Sequence, residues 1–217
     1  MHRLSEPSIL YFGTPVVLIT STNTDDTYNI APISSIFWLG WRAIIGISTS
    51  SKTTENILRT RECVLNLPSI NQIDAVNRLA LTTGSNPVPS GKLQKGYIHV
   101  KNKFSISQLT PMISETVLPP RIKECPVQME ALMESYHGIA KDDEVQVGKI
   151  ITIELRIKRV YIDELLLLEG CPNKVNPNKW SPVIMSFQQF YGLSNQLSNS
   201  KLSTIPEELY RRPDKNR

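Results

Sequence analysis

The chain has 217 residues, of which 40% are hydrophobic and 20% charged, an ordinary globular composition with room for one domain and a real core. Its formal net charge of +4 is carried by dispersed lysines and arginines, dense only at Arg211-Arg212-Pro-Asp-Lys215-Asn-Arg217, and no reading motif or stacking platform accompanies them, which argues against nucleic acid as a partner. Fully apolar runs such as Leu165–Leu168 are far too short to cross a bilayer, which argues against a membrane role.

In chain order, Pro15–Ser21 reads as a short strand stopped by the turn-rich Thr22–Thr27. Tyr28–Phe37 reads as a returning strand broken at Pro32. Trp38-Leu-Gly-Trp41 turns the chain, and Arg42–Ser48 is a third strand carrying Ile44, Ile45 and Ile47. A hydroxyl-rich cluster then leads into a helix ending near Thr60, followed by the strand Glu62–Leu67, closed by Pro68. Ile70–Leu81, with Ile73, Val76 and Ala80 at helical spacing, reads as an amphipathic helix. Thr82–Pro120 is polar, rich in Pro and Gly and without sustained period, the pattern of a functional loop or covering arm.

Val127–Ile139 and Val147–Ile162 read as long strands. In the second, Ile151, Ile153, Leu155 and Ile157 alternate with Thr152, Glu154, Arg156 and Lys158, and the phase flips after Lys158-Arg159. One extra residue in the alternation predicts a β-bulge there. Several antiparallel strands with two or three helices make the expected fold mostly β with helices, a small barrel. The chain divides into a domain over 1–193 and a polar tail or arm over 194–217.

Two runs carry the chemistry. Asn29-Ile-Ala31-Pro32-Ile33-Ser34-Ser35 mixes an amide, small residues and a proline, so backbone groups can approach a flat ligand. Ser48-Thr49-Ser50-Ser51-Lys52-Thr53-Thr54 sets a dense group of hydroxyls around one lysine ahead of a helix, the chemistry of a phosphate cradle. A planar ring beside a phosphate points to a mononucleotide-type cofactor. The two runs are expected on adjoining strands joined by a hairpin through Gly40. The bland readings are an edge-strand proline for the first run and a simple helix cap for the second.

In this order, several pieces resemble the FMN-binding split-barrel flavoproteins, more narrowly the flavin reductase group that includes reductase components of two-component monooxygenases. They are Pro15–Ser21, Asn29–Ser35, Ile45-Gly-Ile-Ser48, Lys52–Ile57, Glu62–Leu67, Lys103-Phe104, Leu109-Thr-Pro111, Pro119–Glu130, Asn178–Ile184 and Tyr191-Gly-Leu193. The resemblance implies a six-stranded antiparallel split β-barrel with peripheral helices, binding FMN near a homodimer interface. It places Asn29, Ala31, Pro32, Ile33, Ser34 and Ser35 along the ring, and Ser48, Thr49, Ser50, Lys52, Thr53 and Thr54 around the ribityl chain and phosphate. It further implies NADH or NADPH as electron donor, and a monooxygenase partner, free flavin or ferric iron as acceptor. Lys179, Trp180 and Tyr191 are candidates to cover the ring, and no catalytic residue is named, because a flavin carries its own hydride chemistry.

Cys63, Cys125 and Cys171 have neither CxxC nor metal-ligand spacing and suit a reducing cytoplasm. The N-terminus lacks the apolar stretch of a signal peptide, so a cytoplasmic location is expected. His99 and His137 lack paired ligand spacing, and no metal is expected. Three rivals remain: a non-catalytic flavin-binding or redox-sensing protein on the same fold, a relative of pyridoxamine phosphate oxidase, whose arginine-rich motifs are missing, and a scaffold acting through its basic tail.

Overall fold

A computed structural model of the chain describes residues 1–210. The basic run from Arg211 to Arg217 lies outside the described residues. The first half supplies β1 (Phe12–Pro15), β2 (Val17–Thr22), β3 (Tyr28–Ile33), β4 (Ile36–Leu39), β5 (Arg42–Ser48), α1 (Lys52–Thr60), β6 (Glu62–Leu67) and α2 (Ile73–Leu79). The segment expected to be irregular holds β7 (Thr82–Thr83), α3 (Ser90–Leu93), β8 (Ile98–His99), α4 (Lys103–Ser107), β9 (Pro111–Met112) and β10 (Arg121–Ile122). Two long strands follow, β11 (Val127–Gly138) and β12 (Ile150–Ile162), then the hairpins of β13 (Leu167–Leu168) with β14 (Cys171–Val175) and β15 (Ile184–Ser186) with β16 (Gln189–Tyr191).

The main sheet has seven strands in the order β3-β2-β6-β11-β12-β5-β4, one more than the six expected. Its two edge strands are joined by only two residues, Ser34 and Ser35. Three Cα–Cα steps span at most about 11 Å. Laid flat, the edges of seven strands would stand about 29 Å apart. The sheet must therefore curl until its edges meet, and one hydrogen bond at that seam, Gly46 N–H to Ser35 O at 2.8 Å, links β5 to the linker. The ladder itself stays open between β3 and β4, which gives a split rather than a closed barrel.

The break in the second strand falls at Ser34-Ser35 and not at Pro32. Pro32 pairs with Leu18 inside β3, and an edge strand tolerates a proline because one of its sides has no ladder to complete. The Gly40 hairpin joins β4 to β5, not the strands of the two motifs, which correct to β3 and the end of β5, near opposite ends of the sheet. Gly40 has φ +58, a turn conformation that favours glycine. The expected bulge is present: pairing steps from Glu130–Arg159 to Ala131–Ile157, leaving Lys158 extra, and a second shift leaves Glu134 extra on β11.

Ile19, Ile36, Ile45, Leu65, Ile153 and Leu155 fill the barrel interior, with Trp38, Trp41 and Trp180 packed at its margin. Leu18 and Ile30 face outward instead, against Val76, Leu79, Leu109 and Ile122, so α2 and the 103–125 segment cover that side. Buried polar side chains pin this cover. Asn66 donates to Leu18 O and accepts from Ile122 N–H, and Thr20 donates to Pro120 O.

Glu130, fully buried, accepts from the backbone N–H groups of Glu115 and Thr116 and from the Thr116 hydroxyl, with Arg121 at 3.7 Å. Burial alone would raise its carboxyl, but these hydrogen bonds outweigh it and hold the group below the ordinary carboxylate value. A depressed folded value contributes stability that is present above the unfolded carboxyl range and lost as pH falls through the folded value. Glu130→Gln is therefore expected to lower unfolding free energy by about 1–3 kcal/mol at neutral pH. In urea titrations, the gap between variant and wild type should shrink as the medium is acidified.

Candidate functional site

The site grows from the seam. Beyond Ser48 the chain leaves β5 and turns into α1, whose N-cap is Ser51: its hydroxyl accepts from Thr54 N–H at 3.0 Å. Lys52 and Thr53, the first helical residues, keep the orphan N–H groups of a helix start, where the dipole favours an anion. Arg61 ends the helix in the left-handed region, φ 61, its N–H on Ile57 O.

Several hydroxyls expected for a ligand already have partners. Thr54 donates to Ser48 O at 2.7 Å, and Thr49 donates to Gly148 O at 2.9 Å, tethering the turn to the β11–β12 loop. Thr53 is buried and accepts from the Asn29 amide at 2.9 Å. Ser48 and Ser50 stay accessible at the rim, their hydroxyls 3.0 Å apart. The Asn29–Thr53 bond unites the two sequence motifs directly. Ala31, Pro32, Ile33, Ser34 and Ser35 line the seam half-buried, and the Ser35 hydroxyl meets that of Tyr11 at 3.0 Å.

Asn29 is 2% exposed, and its Oδ1 has no hydrogen-bond partner among the described residues. An orphaned buried carbonyl costs free energy unless a donor is supplied. Gly84 passes directly over it: a Cβ on Gly84 would lie 2.6 Å from Asn29 Oδ1 and 3.0 Å from Lys52 Cγ. This approach brings the 82–103 segment against the cluster, and with it two lysines that the sequence reading did not single out as ligands. Lys92 donates to Thr83 Oγ1 at 3.3 Å, and Lys103, 2% exposed, donates to Ile30 O at 2.9 Å.

The site is strongly cationic. Burial, and after it the charge of Lys92, pushes the Lys103 ammonium down to about 7, and burial also lowers Lys92. Lys52 is paired with Glu55 at 2.6 Å. Among the described residues neither Lys92 nor Lys103 forms an ion pair with a carboxylate. One sequence signal could have found them. From Ala75 to Ser114 the chain carries Arg78, Lys92, Lys95, Lys101 and Lys103 and no Asp or Glu. Such an array of donors, cations and helix N–H groups fits a phosphate, while the orphaned Asn29 Oδ1 is an acceptor that suits a ligand hydroxyl or N–H.

The later candidates lie elsewhere. Lys179 lines a 520 Å³ cavity formed by the β13–β14 hairpin, Trp180 packs against the barrel core, and Tyr191 is exposed on β16. No helix among the described residues is long and apolar enough to cross a membrane.

Comparison with known proteins fits this architecture. A family model described as flavin reductase like domain matches residues 9–168. The chain is 36% identical over 195 residues to the uncharacterized protein YdfE of Bacillus subtilis (strain 168), covering 90% of this chain and 91% of that protein. Among solved structures, flavoredoxin of Desulfovibrio vulgaris (Miyazaki F) superposes with a TM-score of 0.73 at 19% identity, covering 93% of this chain and 98% of that one. Nitrilotriacetate monooxygenase component B from Bacillus cereus gives 0.70 at 19% identity, covering 88% and 89%. At that identity the two structures speak for the fold alone.

Gly84→Ala tests the packing of the cluster. The added methyl must displace Asn29 or Lys52, and thermal unfolding should show a loss of about 1–3 kcal/mol, as for overpacking elsewhere. An unchanged midpoint would mean that the 82–84 segment is not seated on Asn29.

Proposed function

The chain belongs to the flavin reductase-like family, and we propose that it binds flavin mononucleotide at the barrel seam and transfers hydride from NADH or NADPH through that flavin to an acceptor. Family membership implies flavin binding in general. The choice of the mononucleotide is carried by one observation: the Asn29–Thr53 hydrogen bond sets the start of α1, with Lys52, beside the edge strand β3 and under Gly84. In this reading Lys52, the orphan N–H groups of Lys52 and Thr53, and Lys92 hold the phosphate. Ser48 and Ser50 serve the ribityl chain, and the backbone from Asn29 to Ser35 faces the ring. Thr53 and Thr54 act one step back, fixing Asn29 and the turn.

When bound, the isoalloxazine supplies the two-electron chemistry, so the protein needs to orient the ring and tune it through hydrogen bonds. We take the acceptor to be free flavin, a monooxygenase partner or ferric iron, and the working form to be a cytoplasmic homodimer. Exposed Phe37 and Leu39 on β4, next to the seam, support a second copy packing there. The likeness to a protein named as a monooxygenase component B supports a partner of that kind.

Steady-state oxidation of NADH and NADPH with added FMN tests the activity. Flavin-dependent turnover is expected with one or both nicotinamides. FMN binding without turnover would leave a non-catalytic flavin protein, and no quenching of FMN fluorescence would remove the reading altogether. Lys52→Ala should weaken FMN about ten- to 150-fold, the worth of a hydrogen bond to a charged group, while riboflavin, lacking the phosphate, changes little. Equal losses for both flavins would show that Lys52 does not hold the phosphate.

A further inference from the structure

A lysine as deeply buried as Lys103 ordinarily has a carboxylate beside it. Here, among the described residues, its ammonium donates to the carbonyl of Ile30, one residue along β3 from Asn29, and the charge that acts on it is another cation, Lys92. The elements packed on α4 do not neutralise the pair. On α2, Asp74 and Arg78 are exposed, and Arg78 donates to Ser107 O at 2.7 Å. On β3 the titratable group is the exposed Tyr28; the nearby turn offers Asp25, which holds Lys101 at 3.1 Å, while β8 offers the exposed His99. Glu55 of α1 is engaged by Lys52. Two partly desolvated lysines thus stand beside the donors of the α1 start with no carboxylate paired to either among the described residues.

We propose that binding of a phosphomonoester dianion at this cluster is coupled to protonation of the Lys92–Lys103 pair, so that phosphate recognition is the pH-sensitive step of flavin capture. The inference rests on the phosphate placement given above. Without an anion, burial and mutual repulsion keep the pair short of two full charges near neutrality. A dianion relieves both penalties, and by linkage the protein takes up a proton as the anion binds. Lys103 is a positioning residue in this scheme: it acts on the ligand through the local field and through its hold on Ile30 O.

Calorimetric titration of FMN into the full-length protein, in two buffers of different ionisation enthalpy, counts the protons. At about pH 8 the FMN phosphate is already dianionic, so uptake belongs to the protein. Wild type should take up close to one proton per FMN there. At about pH 6, where Lys103 already carries its proton, uptake should give way to release of roughly half a proton, as the half-protonated FMN phosphate becomes the bound dianion. Riboflavin should bind without uptake at either pH. Lys103→Met should abolish the uptake, and Lys92→Met, at a more accessible position, should diminish it by relieving the repulsion. FMN binding without uptake, or equal uptake with riboflavin, would overturn the coupling while leaving the phosphate site intact. FMN that fails to bind would overturn the phosphate site and the coupling together.

Discussion

The two-residue linker between the sheet's opposite edges is the constraint on which the rest of the structure depends. Ser34 and Ser35 cannot span an opened sheet, so the seven strands must curl, and β3 comes to lie across the seam from β5 despite four intervening strands. The seam keeps its ladder open. Backbone groups on an open edge are a liability unless something covers them, and here they border a polar cluster instead of bare solvent. The helix launched from the end of β5 then lands beside β3, where Asn29 reaches Thr53. Topology alone thus brings a ring-sized edge and a phosphate-like helix start together.

A second layer of order comes from polar groups buried in the cover. Thr20, Asn66, Gln128, Glu130 and Lys103 each tie a backbone group of one segment to a strand of the barrel. Such bonds specify geometry, because a small slip would leave a buried group unsatisfied. That explains how a stretch with few apolar residues and little regular structure can be seated firmly enough to place Gly84 over Asn29. The same buried placement leaves Lys103 electrically uncompensated. The fold and the site therefore share residues, and the electrostatics of the site follow from how the cover is held.

Much of this was legible from sequence where the signal is local. Strict alternation in β12 gave its inward face and the bulge at Lys158. The helix start at Lys52 followed from hydroxyls and a cation, although the capping residue proved to be Ser51 and several neighbouring hydroxyls turned inward. Strand order was not legible. Nearness in sequence suggested that the two motifs neighbour one another through the Gly40 hairpin, whereas they meet around the open side of the barrel. Pro32 misled on the position of the strand break because its missing donor is harmless on an edge. Lys92 and Lys103 were not assigned to the ligand from sequence, although Lys103-Phe104 was among the family-like pieces, because what places them is long-range packing such as the Lys103 bond to Ile30 O. The absence of acidic residues around them was the available clue.

The most direct test of the central claim is a crystal structure of the protein with FMN. The account predicts the phosphate between the start of α1 and Gly84, within hydrogen-bonding reach of Lys52 and Lys92, with the ring along Asn29–Ser35. A phosphate bound at the β13–β14 hairpin, or a ring seated away from the seam, would contradict it.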